Sequence, residues 1–510
     1  MQASQTDSDP RIRSVVIVGG GTAGWMTAAA LVQHFRGTDL KITVVESSAI
    51  GTIGVGEATI PTIRRFYAQL GLSDAEVMRA TGATCKLGIR FCDWSGPGSD
   101  FIHPFGLYGQ DLKGIGFHHF WLADRERGQT APLSAYSLGA SLAEASRFVT
   151  PSPRPPSSLS VFDWALQLDA TAFAQHLRAY AEAGGCERID ARILGVDLRP
   201  EDGFIQGVVL DDDRRIEGDL FVDCSGFRGL LIGEALAEPY EDWSKWLLCD
   251  TAFAVQSENA PGEAPPPFTR VTARPSGWQW GIPLRHRAGN GIVFSSRHVT
   301  DEQALGDLTP NLIGPALTEP RRIPFRPGRR RRAWVKNCVS IGLSAGFVEP
   351  LESTSIAVIE TAIDRLKALF PDRRFVQPVI DEFNDQTACE LDRVRDFVIL
   401  HYKLNGRDEP FWRDCREAPI PDTLQRKLDL WKARGQFVRY RWEMFHPASW
   451  LAIYAGFGVW PDGYDPAVDA IDPEQLTRSL AEMRHAVAEA VARAPSHAEF
   501  LSSLQPPVAA

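Results

Sequence analysis

Residues 15–31 read V-V-I-V-G-G-G-T-A-G-W-M-T-A-A-A-L, and that stretch decides the fold: a β-branched apolar run, a glycine cluster, then a run of helix formers. It predicts strand, tight turn, helix. Gly19, Gly21 and Gly24 make a G-x-G-x-x-G set. In such a set the first glycine permits the turn, the second lets backbone approach a pyrophosphate, and the third lets helix and strand pack closely. The helix N-terminus, with Thr22 and Ala23 in its first turn, offers free N–H groups and partial positive charge to phosphates. Glu46 closes the next apolar strand, K-I-T-V-V-E, at about the twenty-residue offset expected of an acid that binds a ribose hydroxyl. An ordinary βαβ unit is the alternative. The glycine spacing, its strand and helix context and the acid together favour dinucleotide binding.

The chain has 510 residues, 44% hydrophobic and 23% charged, the balance of a soluble globular protein with ample core. It contains no apolar run long enough to cross a bilayer. Arg11 and Arg13 precede Val15, but three consecutive glycines interrupt the apolar run, so the segment does not read as an export signal. A net charge of −10 argues against a nucleic-acid partner, which needs a positive surface. The one basic run, Arg329 to Arg332, reads as a solvated approach to the next strand. The eight cysteines include no C-x-x-C pair and no cluster of metal-ligand spacing; reduced thiols, a cytoplasmic location and no metal are expected.

Beyond Glu46, the glycines at 51, 54 and 56 free the backbone to run close to something flat or charged, for which a flavin ring is the obvious candidate and a plain surface loop the alternative. Residues 62–80 read as helices. The stretch 83–94, A-T-C-K-L-G-I-R-F-C-D-W, alternates like one strand, and periodicity alone leaves Lys86 as a solvent-facing lysine. Residues 151–158, P-S-P-R-P-P-S-S, are a loop or linker. A β-meander follows near 190–217, and the next strand closes on Asp223, Ser225 and Gly226, where an open α/β sheet presents its ligand edge. Trp278 and Trp280 alternate, so they share one face of a strand, as core packing or as a pocket wall. Residues 333–363 repeat the strand, turn and helix grammar, and Leu343 and Gly346 should meet the flavin from its other side. Glu352, Ser353 and Thr354 stand where that helix would start, so they read equally as N-caps. Past residue 371 the pattern is helical. Its last helix starts at Asp472 and Pro473 and carries the core stripe Leu476, Leu480, Met483, Val487 and Val491. Residues 439–461 hold Trp442, Phe445, Trp450, Tyr454, Phe457 and Trp460, more aromatics than packing alone requires.

With the glycine fingerprint, G-V-G-E-A-T-I-P, W-Q-W-G-I-P and F-V-E-P-L-E-S-T-S in this order, residues 12 to about 460 resemble the flavin-dependent halogenases of the tryptophan-halogenase family. The W-x-W-x-I-P element, here Trp278, Trp280, Ile282 and Pro283, is the family's distinguishing mark. The resemblance implies an α/β, Rossmann-like FAD-binding fold of the flavin monooxygenase type. Residues 11–100, 165–245 and 330–370 then form a discontinuous FAD-binding core, 101–164 and 246–329 substrate-side excursions, and 371–510 a mainly helical subdomain. It also implies FADH2, O2, and chloride or bromide, with hypohalous acid passing through a tunnel to the substrate.

In T-x-K-x-G-I-x-F-x-x-W, Lys86 matches the family's active-site lysine, and Glu352 in P-L-E-S-T matches the partner carboxylate, with Ser353 beside it. Thr354 and Ser355 fall at the halide site; the family usually has glycine at the second position, and Ser355 departs from that. Gly54, Gly56, Glu57 and Ala58 fall at the flavin, and the paired tryptophans shield it from organic substrate. His103 and Phe105 resemble the aromatic wall for an indole, with Trp450 and Tyr454 added from the aromatic segment. M-F-H-P-A-S-W-L-A-I-Y lacks the polar set with which tryptophan-specific members grip the amino acid, so a free indole or similar aromatic is favoured over tryptophan. No second glycine fingerprint serves a nicotinamide, which implies a separate NAD(P)H flavin reductase. A homodimer is left open. An aromatic monooxygenase and a non-catalytic FAD-binding protein are the alternatives. I-G-L-S-A-G-F at 341–347, in place of a hydroxylase G-D motif, favours the halogenase.

Overall fold

A computed structural model describes residues 9–50, 56–129 and 131–504. The strand Ser14–Val18, almost wholly buried, lies inside a six-stranded sheet ordered Trp334–Val335, Cys338–Ser340, Leu220–Asp223, Ser14–Val18, Lys41–Glu46, Glu187–Asp190. Both its neighbours run parallel to it, with Val15 opposite Leu220 on one side and Ile42 on the other. The chain thus leaves the first strand toward one side and returns later on the other, and a crevice opens at the carboxyl ends where the order switches. The helix Thr22–His34 covers this point and packs on the helices Ala170–Ala183 and Ser355–Ala368.

The glycine turn is enforced by contact. Gly19 has φ +109°, and a Cβ there would lie 2.3 Å from the Cys224 carbonyl oxygen. A Cβ on Gly24 would lie 1.8 Å from the Gly19 carbonyl oxygen, so the third glycine packs the helix against its own entry turn. Gly21 faces open space, whereas a Cβ on Gly20 would meet the Glu46 carboxylate at 1.4 Å. The glycine that the acid requires is therefore Gly20, outside the fingerprint.

The second large sheet has seven strands, ordered Arg321–Pro324, Thr251–Ser257, Ala288–Phe294, Gly277–Pro283, Thr269–Arg274, Gly88–Cys92, Asp100–Pro104. The expected boundary at residue 100 falls inside its terminal hairpin, because Gly88–Cys92 joins the 246–329 segment beside Thr269–Arg274. The stretch 83–94 is therefore two strands. Thr84–Lys86 pairs with Ala165–Asp169 in a separate small sheet, and at Leu87 the chain crosses over, its N–H donating to the Pro267 carbonyl. The residue before that crossover is Lys86.

The helices Thr62–Gln69 and Asp74–Thr81, the meander Ile193–Leu198, Ile205–Leu210, Arg215–Glu217 and the terminal helix Pro473–Arg493 fall where the sequence places them. Asp472 caps the last of these by accepting from the Gln475 N–H, and Leu476, Leu480 and Val487 are buried. Among the C-terminal helices, the 28-residue Gln377–Leu404 is buried along its second half. Arg329 and Arg332, expected to be solvated, make ion pairs with Asp392 and Glu238. No helix of the described residues is long and apolar enough to cross a membrane.

Because the Gly24 Cα hydrogen sits directly on the Gly19 carbonyl, Gly24→Ala should destabilise the protein by about 3 kcal/mol. A thermal melt and an FAD-binding titration of the variant check this; native values in both would show that the turn can relax.

Candidate active site

Periodicity alone makes Lys86 a surface residue, and the structure overturns that reading: its side chain is fully buried. The crossover at Leu87 turns it inward, where Nζ donates to the Thr59 carbonyl at 2.9 Å and to the Ser353 hydroxyl at 2.7 Å. The Phe105 ring centroid is 5.2 Å from the ammonium. Burial lowers the Lys86 amino group to about 7, partly opposed by the Glu352 charge.

Glu352 ends the short turn Pro350–Glu352. It is no helix cap: the helix begins at Ser355 after Thr354, and no side chain caps it. Its buried carboxylate instead bonds two imidazoles, His103 Nδ1 at 2.9 Å and His401 Nε2 at 2.7 Å. Burial would raise this carboxyl, but His103 and His401 together hold it down at about 2. Between the two charged groups, Ser353 adopts φ +59°, a left-handed conformation rare for a non-glycine residue. That turn aims its hydroxyl at Lys86.

A cavity of about 660 Å³ runs from the glycine turn to this corner. Gly19, Gly21, Thr22, Ala23 and Glu46 line it, together with Gly56, Glu57, Ala58, Trp278, Trp280, Ile282, Leu343 and Gly346. Gly54 lies outside the described residues. Glu46 is held at the cavity edge by Arg188 at 2.5 Å. The volume of the cavity, the bare backbone at Gly21 and the first-turn N–H groups fit a flavin dinucleotide, whose pyrophosphate the helix start would hold. Glu57 carries a carboxyl raised to about 7 by burial.

Trp278 and Trp280 are therefore a pocket wall, each held from behind. Trp278 donates its indole N–H to Glu349 at 2.8 Å. Trp280 stands where a Cβ on Gly291 would meet its ring at 2.1 Å. Pro283 does not line the cavity; its carbonyl accepts from the Thr84 hydroxyl, tying this strand to that of Lys86.

Ser353, Thr354 and Ser355 line the same cavity, at the start of the helix Ser355–Ala368, where an anion gains from free N–H groups. Lys86 and Glu352 do not line it. Ser353, which lines the cavity and accepts from Lys86, connects that buried amino group to it.

Around His103 the nearest rings are those of Phe105, Phe397 and Phe445, at 6.5, 5.9 and 6.5 Å. His103 Nε2 is buried with no partner among the described residues. Trp450 reaches this group only through Phe397, at 4.9 Å, and Tyr454 stacks flat on Trp431, at 4.6 Å. Trp442 is 43% exposed and lies outside any cage. Sequence reasoning missed Phe397 and His401. Both lie on the helical pattern L-x-R-V-R-D-F-V-I-L-H-Y, and His401 at the buried end of that apolar run was the available signal.

Residues 14–473 match the tryptophan halogenase family. Among solved structures, the chain is similar to BrvH, a flavin-dependent halogenase from Brevundimonas sp. BAL3, with 75% identity, a TM-score of 0.95, and 98% of this chain and 100% of that one covered. It is also similar to Xcc4156, a flavin-dependent halogenase from Xanthomonas campestris, with 44% identity, a TM-score of 0.93, and 98% and 100% covered. Among curated proteins, tryptophan 6-halogenase SttH of Streptomyces toxytricini is 36% identical over 525 residues, 96% of this chain and 98% of its own.

The lowered Lys86 value has a consequence for stability. Between about pH 7 and 10.5 the unfolded chain holds a proton on this lysine that the native protein does not, so this group makes stability rise with pH across that window. Below it, both states are protonated and the burial cost is fully expressed. Lys86→Met, similar in length and uncharged, should raise the melting temperature by about 2–4 °C at low pH and less at high pH. Melts at either end of the window test this; no gain at either pH would mean that the ammonium is not destabilising.

Proposed function

The chain belongs to the tryptophan halogenase family and is a flavin-dependent halogenase, using FADH2 and halide; on that premise we propose that Lys86 and Glu352 carry halogen transfer to a small indole-type aromatic, with O2 as oxidant. One observation supports this assignment above the others: a buried ammonium reaches the wall of the flavin cavity through Ser353, beside a carboxylate held by two histidines. Bound reduced flavin supplies, with O2, the oxidation of halide to hypohalous acid. The residues that would hold it are Gly19, Gly21, Thr22, Ala23 and Glu46 at the dinucleotide end, with Gly56, Glu57, Ala58, Leu343 and Gly346 toward the ring.

The chain's own groups account for the rest. Thr354 and Ser355 hold halide at the helix start, where Ser355 adds a hydroxyl. Trp278, Trp280 and Ile282 exclude the aromatic substrate from the flavin, so that oxygen goes to halide and not to carbon. Lys86, as ammonium, donates a hydrogen bond to the hypohalous acid and sharpens its electrophilicity, a form lost as pH rises through about 7. Glu352 places negative charge beside the arenium cation and takes up its ring proton. A separate flavin reductase supplies FADH2. Purified protein with such a reductase, NADH, FAD, O2, bromide and an indole panel, followed by mass spectrometry, tests the assignment: halogen isotope patterns support it, hydroxylated product supports a monooxygenase, and FAD binding without turnover supports a binding protein.

In this assay Lys86→Ala should abolish halogenation and leave flavin reoxidation intact, since the lysine acts after halide oxidation; a variant that still forms product would remove Lys86 from the reaction. Glu352→Gln should slow halogenation by about two orders of magnitude, and a loss under about threefold would remove the glutamate.

Of the charges in the aromatic segment that could grip a zwitterion, Arg439 is exposed on the surface and the other two are engaged elsewhere. Glu443 is ion-paired with Lys427 at 2.7 Å, both buried, and Arg441 pairs with Asp385 on the surface. Desolvating an ammonium and a carboxylate without partners costs several kcal/mol, whereas indole needs apolar contact and one acceptor for its N–H. Free indole should therefore show a higher kcat/KM than L-tryptophan, with the halogen entering the electron-rich pyrrole ring. Side-by-side kinetics decide, and a tenfold preference for tryptophan would place charged partners in the 101–164 excursion.

A further inference from the structure

His401 belongs to the helix Gln377–Leu404 and is fully buried. Its Nδ1 lies 2.8 Å from the Phe397 carbonyl oxygen and its Nε2 lies 2.7 Å from Glu352 Oε1. A carbonyl oxygen only accepts, so Nδ1 carries a hydrogen. A neutral imidazole would then present a bare Nε2 lone pair to a carboxylate oxygen at hydrogen-bond distance, which is repulsive. One proton must therefore lie on the Nε2 to Oε1 line. Imidazole is ordinarily the stronger base of the two, and the second hydrogen bond of the carboxylate, from His103 Nδ1 to Oε2 at 2.9 Å, adds to the stability of the anion; the shared proton therefore rests on His401.

We propose that His401 is a positioning residue for halogen transfer, an imidazolium that fixes the direction of the Glu352 carboxylate and neutralises its charge toward Lys86. The proposal rests on the role assigned to Glu352 above. The remaining faces of the His401 ring are covered by Phe91, Trp94, Phe397 and Phe457. Among the described residues Glu352 is its only ion-pair partner. His103 shares that carboxylate from the strand Asp100–Pro104, and Lys86 reaches the same corner through Ser353. When Glu352 takes the ring proton, the C–H bond breaks, its electron pair restores the aromatic ring, and the imidazolium opposite keeps the carboxyl oriented until the proton leaves.

The test compares wild type, His401→Gln, Glu352→Gln and the double variant, each with excess flavin reductase, bromide and indole. His401→Gln should lower kcat by about tenfold or more with little change in the KM for indole, because misaligning a catalytic group affects the transition state more than substrate binding. The alkaline limb of its pH profile should move upward: without the imidazolium, the uncompensated Glu352 charge favours the Lys86 ammonium. A role in packing alone would not move that limb. The double variant should be no slower than Glu352→Gln, since both changes break one interaction. Wild-type kcat with an unmoved limb in His401→Gln, or additive losses in the double variant, would overturn the proposal. Should Glu352→Gln keep wild-type rate, the role of Glu352 falls and this one with it; a slow Glu352→Gln beside a normal His401→Gln overturns the positioning role alone. Should His401→Gln fail to fold, spectra of the unsubstituted protein labelled with 15N-histidine at about pH 8 decide. One doubly protonated ring, absent from Glu352→Gln, is expected; finding none would sink the assignment.

Discussion

Everything at the candidate site depends on keeping a lysine and a glutamate charged where water does not reach. Burying either charge alone would cost several kcal/mol; placed hydrogen bonds and charges outweigh that cost at Glu352 and offset only part of it at Lys86. Lys86 has the Thr59 carbonyl and the Ser353 hydroxyl, and Glu352 has two imidazoles. These partners come from distant parts of the chain: the loop before residue 62, the turn at 350–353, the edge strand at 100–104 and the helix ending at 404. The site is therefore as rigid as the junction of those elements. A low local dielectric strengthens each of these interactions and makes any missing partner costly.

The short segment E-P-L-E, Glu349 to Glu352, ties the tryptophan wall of the cavity to the corner of Lys86, His103 and His401. Consecutive residues of one buried helix hold its two glutamates. His401 bonds Glu352, and the Tyr402 hydroxyl donates to Glu349 at 2.5 Å. Glu349 in turn accepts from Trp278, and burial raises its carboxyl to about 7, with the Trp278 and Tyr402 hydrogen bonds opposing. A shift of that helix would thus disturb the tryptophan wall and the carboxylate together.

Local patterns determined much of this protein. The strand, glycine turn and helix at 15–31, with Glu46 at the next strand end, carried the dinucleotide fold. The order of W-Q-W-G-I-P and F-V-E-P-L-E-S-T-S carried the family, T-x-K-x-G-I-x-F-x-x-W singled out Lys86, and P-L-E-S-T singled out Glu352. These features were legible because each is a short-range rule: φ > 0 and close approach at glycines, alternation on a strand, a helix start after a turn. Contacts across the chain were decided only by tertiary structure. Alternation could not show that 83–94 is two strands in two sheets, and that break at Leu87 is what sends Lys86 inward. Composition could not show that Trp450 and Tyr454 stand behind Phe397, or that Glu443 is taken by Lys427. The residues near His401 show a histidine at the end of an apolar run but not its pairing with a glutamate 49 positions earlier, because a hydrogen bond between distant segments depends on how their elements cross, and sequence spacing records only neighbours along one element.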